Sequence, residues 1–220
     1  QQGRSHGHNP ARYRSAAAGT HLTPRRHSRI PLGSAFPGAF FPLNKNPDIQ
    51  TRGNRFSRKI SPMTALRSVC VFCGSRPGTR APYAETAAEL GRVMATEGWR
   101  LVYGAGDVGL MGEVARAAQA AGAQTFGVIP THLVQREVAK RDLSNFIITS
   151  NMHERKTVMF MNSDAIVVLP GGAGTLDEFF EVLTWRQIGL HSKPIFILNV
   201  EGFWDPLVAL IDHIVAEGFA

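Results

Sequence analysis

A glycine-rich loop is the part of this sequence best suited to chemistry. Residues 170–175 read Pro-Gly-Gly-Ala-Gly-Thr and stand between an apolar run and a helical pattern. Gly171, Gly172 and Gly174 allow positive φ and expose backbone N–H groups, while the positive end of the next helix points at them. These features together predict a cradle for a phosphate. Because no lysine follows the last glycine, the loop is not a P-loop for nucleoside triphosphates.

The carboxylate of Glu178 follows this loop by one helical turn. It lies three residues after Thr175, on the same face of the predicted helix. A carboxylate repels a phosphate, so we expect it to face the sugar carbon of a ligand whose phosphate the loop holds. Cleavage of an N-glycosidic bond passes through an oxocarbenium-like state, which a carboxylate stabilises while it activates a water.

Two cations stand side by side at another predicted helix start. Residues 152–156 read Met-His-Glu-Arg-Lys. Arg155 and Lys156 point about 100° apart on a helix, so one reaches a ligand and the other pairs with an acid elsewhere. A guanidinium here either anchors phosphate or offsets charge on a departing base.

Two further loops follow predicted strands. Ser75 offers a hydroxyl that could hold a phosphate or ribose oxygen. Residues 104–109 read Gly-Ala-Gly-Asp-Val-Gly, the spacing of the dinucleotide fingerprint. The next strand ends at residues 128–131 without the acid that a nicotinamide site needs, which weakens the interpretation as an oxidoreductase. We therefore expect a tight turn whose backbone approaches a ligand or another loop.

The two cysteines, Cys70 and Cys73, have the spacing of a redox dithiol. Cys70 lies inside a predicted strand, where its side chain is expected in the core, so a redox role is disfavoured. Two thiols three residues apart do not staple a domain of this size, which favours a reducing compartment.

Strand and helix patterns alternate along the chain and would position these loops. This alternation predicts an α/β fold, a Rossmann-like doubly wound parallel sheet in a single domain, with ligands at the carboxyl ends of the strands. The predicted strands cover residues 68–73, 100–103, 124–129, 145–149, 164–169 and 194–200. The predicted helices cover residues 82–97, 110–121, 152–162, 174–189 and 204–217.

The net charge of +7 belongs to the N-terminal part of the 220 residues. Residues 1–60 sum to +10 and residues 61–220 to −3. We expect residues 1–62 to be a disordered basic extension, such as a cloning remnant or translated upstream sequence, and residues 63–220 to form the domain. Without interleaved aromatic residues, nucleic-acid binding by the extension is not favoured. The lack of an apolar run or secretory signal predicts a cytoplasmic protein without membrane contact.

Five motifs in order resemble the Lonely Guy (LOG) family of cytokinin riboside 5′-monophosphate phosphoribohydrolases, which are often labelled lysine decarboxylases. The resemblance covers residues 67–220. Its motifs are Phe-Cys-Gly-Ser at residues 72–75, Tyr-Gly-Ala-Gly-Asp-Val-Gly-Leu-Met-Gly at 103–112, the segments 152–156 and 170–178, and Thr-Trp-Arg-Gln-Ile-Gly-Leu-His at 184–191.

The resemblance implies hydrolysis of a nucleoside 5′-monophosphate, either the cytokinin form or AMP, to a free base and ribose 5-phosphate. It implies a homodimer with active sites near the subunit interface, and neither a metal nor an organic cofactor. Arg155 and Glu178 become the catalytic pair, and Gly171, Gly172, Gly174 and Thr175 the phosphate loop. The resemblance further implies substrate contacts from Ser75, Glu137, Met152, Lys156 and Thr184.

This sequence departs from the family pattern at Arg76, where relatives commonly have a small residue. A long cation there is expected to alter the rim of the pocket. The matching domain is also expected to be short at its C-terminal end relative to the family.

Among other classes of function, a carrier is the main alternative. A non-catalytic nucleotide or molybdenum-cofactor carrier on the same fold needs the glycine loop but not Glu178. Lysine decarboxylation is disfavoured because none of the domain's three lysines, Lys140, Lys156 and Lys193, has a setting suited to pyridoxal phosphate.

Overall fold

The computed structural model describes residues 40–42, 68–134 and 138–219, the first of these by backbone alone. Its strands are β1 (Phe40–Pro42), β2 (Ser68–Phe72), β3 (Arg100–Tyr103), β4 (Thr125–Pro130), β5 (Asn145–Thr149), β6 (Ala165–Val168) and β7 (Ile195–Leu198). Its α-helices are α1 (Ala81–Thr96), α2 (Gly109–Ala120), α3 (Met152–Met161), α4 (Ala173–Gln187) and α5 (Asp205–Ala216), with 3₁₀ turns at Thr131–Leu133 and Val200–Gly202.

The described strands form one sheet in the order β1-β7-β6-β2-β3-β4-β5. Strands β2 to β7 are parallel, and β1 pairs antiparallel with β7. From β2 the chain moves outward through β3, β4 and β5, and it then returns to the other side of β2 to form β6 and β7. This reversal confirms the predicted Rossmann-like doubly wound sheet.

Helices cover both faces of the sheet, as predicted. On one face, α1 and α2 pack apolar side chains such as Leu90 and Val114 against Val69 and Leu101. On the other face, helices α3, α4 and α5 enclose a second core that includes Phe179. Every residue of β2 and β6 is buried, which explains why the two strands read as continuous apolar or small-residue runs rather than alternating ones.

The strand β1 lies within residues 1–62, for which the sequence predicts no stable fold. Most of that segment falls outside the described residues, so the prediction for it stays a prediction. Among the described residues, no helix is both long and apolar enough to cross a membrane.

Candidate functional site

The candidate site lies where the strand order reverses, between the carboxyl ends of β2 and β6. The loops after these two strands are in direct contact. The amide N of Gly74 donates a hydrogen bond of 3.0 Å to the carbonyl of Pro170. A Cβ on Gly74 would lie 3.4 Å from the Cα of Gly171, so a glycine lets the two backbones approach closely. Ligands of doubly wound sheets bind in this crevice.

The glycine loop opens onto the first turn of α4. Gly172 is the N-cap residue of the helix, and no side chain caps the first turn or places an acid in it. Gly172, Ala173 and Gly174 are exposed. The first N–H groups of an α-helix have no partner within the helix and carry partial positive charge, so this turn is an uncovered site for an anion.

The glycines of this loop do not adopt the positive φ angles that glycine allows. The positive-φ glycines do not include Gly171, Gly172 or Gly174, and Gly172 has a φ of −103°. Space explains the glycine at Gly171, because a Cβ there would overlap Oγ1 of Thr175 and lie 3.0 Å from the amide N of Gly74. Gly172 and Gly174 face open space, which leaves the loop accessible.

Thr175 and Glu178 follow on the first turns of α4. Thr175 is buried, with its side chain against the backbone of Gly171. Glu178 is half-buried, one turn later. Their helical spacing agrees with the prediction, although the hydroxyl of Thr175 faces the loop backbone.

The guanidinium of Arg155 lies at the carboxyl ends of β3 and β4. Its Nε donates to the carbonyl of Val128 at 3.1 Å, and its Nη2 donates to the carbonyl of Gly104 at 2.8 Å. Arg155 is buried, and Sδ of Met152 lies 3.8 Å from its Nη1. A Cβ on Gly104 would overlap Nη2, so only glycine at this position leaves room for the guanidinium.

The charges of Arg155 and Glu178 both affect the pKa of the Cys70 thiol. Cys70 is the central residue of β2. Burial is the main cause that raises the pKa of Cys70, and the carboxylate of Glu178 raises it further. Lys193 and Arg155 lower the same pKa by smaller amounts, while Cys73 raises it slightly. Charged side chains of α3 and α4 therefore both influence the centre of β2.

Lys156 points elsewhere, as expected for adjacent residues on a helix. Its Nζ lies 3.0 Å from Oδ2 of Asp177 and 3.2 Å from Oε1 of Glu181, so it joins α3 to α4. Burial alone would lower the pKa of Lys156, but the hydrogen bonds to the two carboxylates raise it above its usual value. Of the two cations, Lys156 is the one paired with acids.

A capping box fixes the start of α3, and sequence reasoning missed it. Oδ1 of Asn151 accepts a hydrogen bond of 2.9 Å from the amide N of Glu154, whose Oε2 accepts one of 2.9 Å from the amide N of Ser150. The signal was present as Asn-x-x-Glu before the helical pattern. This box sets the position of Arg155, one residue after Glu154.

The loop after β3 supports the loop after β2. Gly109 has a φ of +57°, and a Cβ there would lie 2.6 Å from the carbonyl O of Ser75. The amide N of Leu110 donates to the carbonyl of Gly74 at 3.0 Å. The glycine-rich turn 104–109 thus approaches another loop, as predicted, and presents Ser75 as an exposed residue.

The segment that follows the 3₁₀ turn Thr131–Leu133 crosses this same loop. The amide N of Asp107 donates to the carbonyl of Val138 at 3.1 Å, and the amide N of Lys140 donates to that of Ala105 at 2.8 Å. Glu137, a predicted substrate contact, lies outside the described residues.

Thr184 is not brought to the glycine loop within one chain. It is exposed on α4, nine residues after Thr175, which places it about 13 Å further along the helix and half a turn around it.

The two cysteines are buried as thiols and form no disulfide bond among the described residues. Cys70 packs into the core beneath α3, α4 and α5, and Cys73 into the core on the opposite face of the sheet. The prediction that Cys70 is a core residue is confirmed.

Comparison with known proteins identifies the family. Residues 111–220 match the profile of the family described as "Possible lysine decarboxylase". The cytokinin riboside 5′-monophosphate phosphoribohydrolase LOG of Oryza sativa subsp. japonica is 48% identical over 154 residues, covering 70% of this chain and 64% of that protein. The cytokinin riboside 5′-monophosphate phosphoribohydrolase LOG2 of Arabidopsis thaliana is 44% identical over 154 residues, covering 70% of this chain and 72% of that protein. The chain belongs to the LOG family.

A solved structure resembles this LOG-family chain in fold. The Moco carrier protein from Chlamydomonas reinhardtii superposes with a TM-score of 0.51 at 22% identity, covering 69% of this chain and 99% of that one. At this identity the likeness concerns the fold alone. The chain spans slightly less than two thirds of the rice LOG protein.

Proposed function

We propose that this protein hydrolyses the N-glycosidic bond of a nucleoside 5′-monophosphate, releasing a free base and ribose 5-phosphate. Three features near the carboxyl ends of the parallel strands carry the proposal: the uncapped first turn of α4, the half-buried Glu178 in the next turn of that helix, and the buried guanidinium of Arg155. The names of the LOG relatives support cytokinin riboside 5′-monophosphate as the substrate.

In this proposal the 5′-phosphate lies on the loop of Gly171, Gly172 and Gly174, against the first turn of α4. That turn supplies unpaired N–H groups and partial positive charge. Phosphate binding there directs the sugar toward Glu178, one turn further along α4. Holding the substrate by a non-reacting group positions the reacting carbon, which lowers the entropic part of the barrier.

Glu178 acts on the anomeric carbon. Its carboxylate stabilises the positive charge that develops as the bond from C1′ to the base nitrogen breaks, and it accepts a proton from the water that attacks C1′. The electron pair of the broken bond leaves with the base, which takes up a proton. One water is consumed, and one base and one ribose 5-phosphate are formed.

Arg155 is the second catalytic residue in this proposal. Its guanidinium is held in place by the carbonyls of Gly104 and Val128, and it either anchors the phosphate or offsets negative charge on the departing base. We include Ser75, Glu137, Met152, Lys156 and Thr184 as substrate contacts on the strength of the family motifs. No metal or organic cofactor enters the scheme.

We further propose that the protein acts in the cytoplasm as a homodimer. Three large apolar side chains, Met161, Ile188 and Leu190, are 64% to 70% exposed. They adjoin the packed rings of Phe160 and Trp185, whose centroids are 5.0 Å apart. Exposed apolar side chains grouped in this way favour self-association. A monomer in sedimentation velocity at micromolar concentration would refute the dimer.

The alternative function is a nucleotide or molybdenum-cofactor carrier that binds its ligand without cleaving it. Incubating the protein with AMP and with isopentenyladenosine monophosphate separates the two functions. The proposal expects free base and ribose 5-phosphate in equal amounts from at least one nucleotide. Binding of both nucleotides without release of base would refute the hydrolase and favour the carrier.

A further inference from the structure

Arg76 has a fixed backbone position in the loop after β2, one of the two loops that form the candidate site. Its carbonyl O lies 3.1 Å from the position of a Cβ on Gly74, the residue whose amide bonds to Pro170. Its amide N lies against Gly109, where a Cβ would overlap it. The backbone of Arg76 is therefore held two residues from the contact with the glycine loop, while the residue itself is exposed.

The other cations near this edge of the sheet have partners. Lys156 is bonded to Asp177 and Glu181, and its side chain is 8% exposed. Arg80, four residues after Arg76, pairs with Glu201 in the loop after β7.

Arg155 donates to two backbone carbonyls, and Arg116 pairs with Asp107 and Glu113. Across the described ranges 68–134 and 138–219, the guanidinium of Arg76 makes no hydrogen bond or ion pair with another described residue. An exposed arginine keeps its long side chain free to swing toward a ligand.

The negative charges that would meet at the site favour a further cation there. A phosphate monoester carries close to two negative charges at pH 7, and Glu178 adds a third nearby. The first turn of α4 offers the equivalent of about half a positive charge. Arg155 adds one more, since the carbonyls that it bonds to are neutral, and this leaves more than one negative charge without compensation. A guanidinium matches phosphate oxygens in a bidentate fork, which makes arginine the side chain best suited to this task.

We propose that Arg76 is a specificity-determining residue that clamps the 5′-phosphate of the substrate from the side of the β2 loop. This inference rests on the proposed function, because it assigns the phosphate to the glycine loop. Such a clamp makes tight binding depend on the charge of the phosphate, so the protein would bind nucleotides more tightly than nucleosides.

The test measures binding rather than turnover. The dissociation constants of AMP and of adenosine are determined by calorimetry for the parent protein, Arg76→Ser, Arg76→Lys and Arg80→Ser. We expect Arg76→Ser to weaken AMP binding by about tenfold or more, the usual effect of losing one charged hydrogen bond, without changing adenosine binding. Arg76→Lys should restore part of the loss, since it restores charge without the fork. Arg80→Ser, the matched control, should bind AMP as the parent does.

Two results would overturn the clamp: equal AMP affinity in Arg76→Ser and the parent, or an equal loss of AMP and adenosine binding. Base release is measured on the same proteins, so the two proposals fail separately. If the protein hydrolyses AMP but Arg76→Ser binds AMP as tightly as the parent does, only the clamp is refuted. If Arg76→Ser weakens AMP binding but the parent releases no base, only the hydrolase is refuted. A parent protein that binds neither AMP nor isopentenyladenosine monophosphate refutes both.

Discussion

Gly104→Ala is expected to lower the proposed hydrolase activity about 100-fold by moving Arg155. The new Cβ would lie 3.0 Å from Cζ of Arg155 and closer still to Nη2, so the guanidinium must shift by about 1 Å or more. Gly104 does not have a positive φ, and alanine therefore fits its backbone. The 2.8 Å hydrogen bond from Nη2 to the Gly104 carbonyl would break first, because the methyl group displaces its donor.

The size of the effect follows from this geometry. A misplacement of about 1 Å at a catalytic group typically costs about 100-fold in rate, which corresponds to about 2.7 kcal/mol of transition-state stabilisation. A hydrogen bond from a buried charged donor contributes about 1.5–3 kcal/mol. The free energy of unfolding should therefore fall by a similar amount in urea titrations, and kcat/KM for AMP hydrolysis by about 100-fold.

A double-mutant cycle separates the shift of Arg155 from other effects of the methyl group. Gly104→Ala is measured in the parent and in an Arg155→Ala background, and kcat/KM is determined for all four proteins. If the methyl acts through the guanidinium, adding it to Arg155→Ala changes kcat/KM by no more than about twofold. A 100-fold loss in both backgrounds would refute the reasoning.

Two further predictions concern α3 and its N-cap. Lys156→Met should lower the free energy of unfolding by about 1–2 kcal/mol, because it leaves Asp177 and Glu181 without their shared cation. Since the folded-state pKa of Lys156 is raised, this contribution is complete below its ordinary pKa of 10.5 and disappears as pH rises through the folded value; urea titrations from pH 7 to 11 that show a constant difference would contradict the pairing. Asn151→Ala removes the cap that binds the amide of Glu154 and should cost about 1 kcal/mol, with a loss of kcat through misplacement of α3. Unchanged stability and unchanged kcat would show that the capping box does not position the helix.

The fold could be predicted because the apolar runs and helical patterns of the sequence coincide with the segments that are buried in the structure. The β5 strand was predicted at its observed bounds, and β2 within one residue, since turn residues bound both runs. The reversal of strand order follows from the rules of parallel sheets once the elements are known.

Only part of the candidate site could be predicted from the sequence, because several of its contacts join residues that are far apart along the chain. Nothing local to Gly104 indicates that the guanidinium of a residue 51 positions later lies against it. The partners of Lys156 are likewise set by how α3 and α4 pack. The sequence marks out the glycine loop but not its geometry, since crowding against Thr175, rather than positive φ, explains Gly171.

The most direct test of the proposed function compares Glu178→Gln with the parent. AMP and isopentenyladenosine monophosphate are supplied to both proteins, base release is followed by chromatography, and AMP affinity and urea stability are measured alongside. Glutamine keeps the size of the side chain but neither stabilises the cation at C1′ nor accepts the proton of the water. The account predicts a loss of about 10²–10⁴-fold in kcat with a folded, AMP-binding variant. Release of base at the rate of the parent by Glu178→Gln would contradict it.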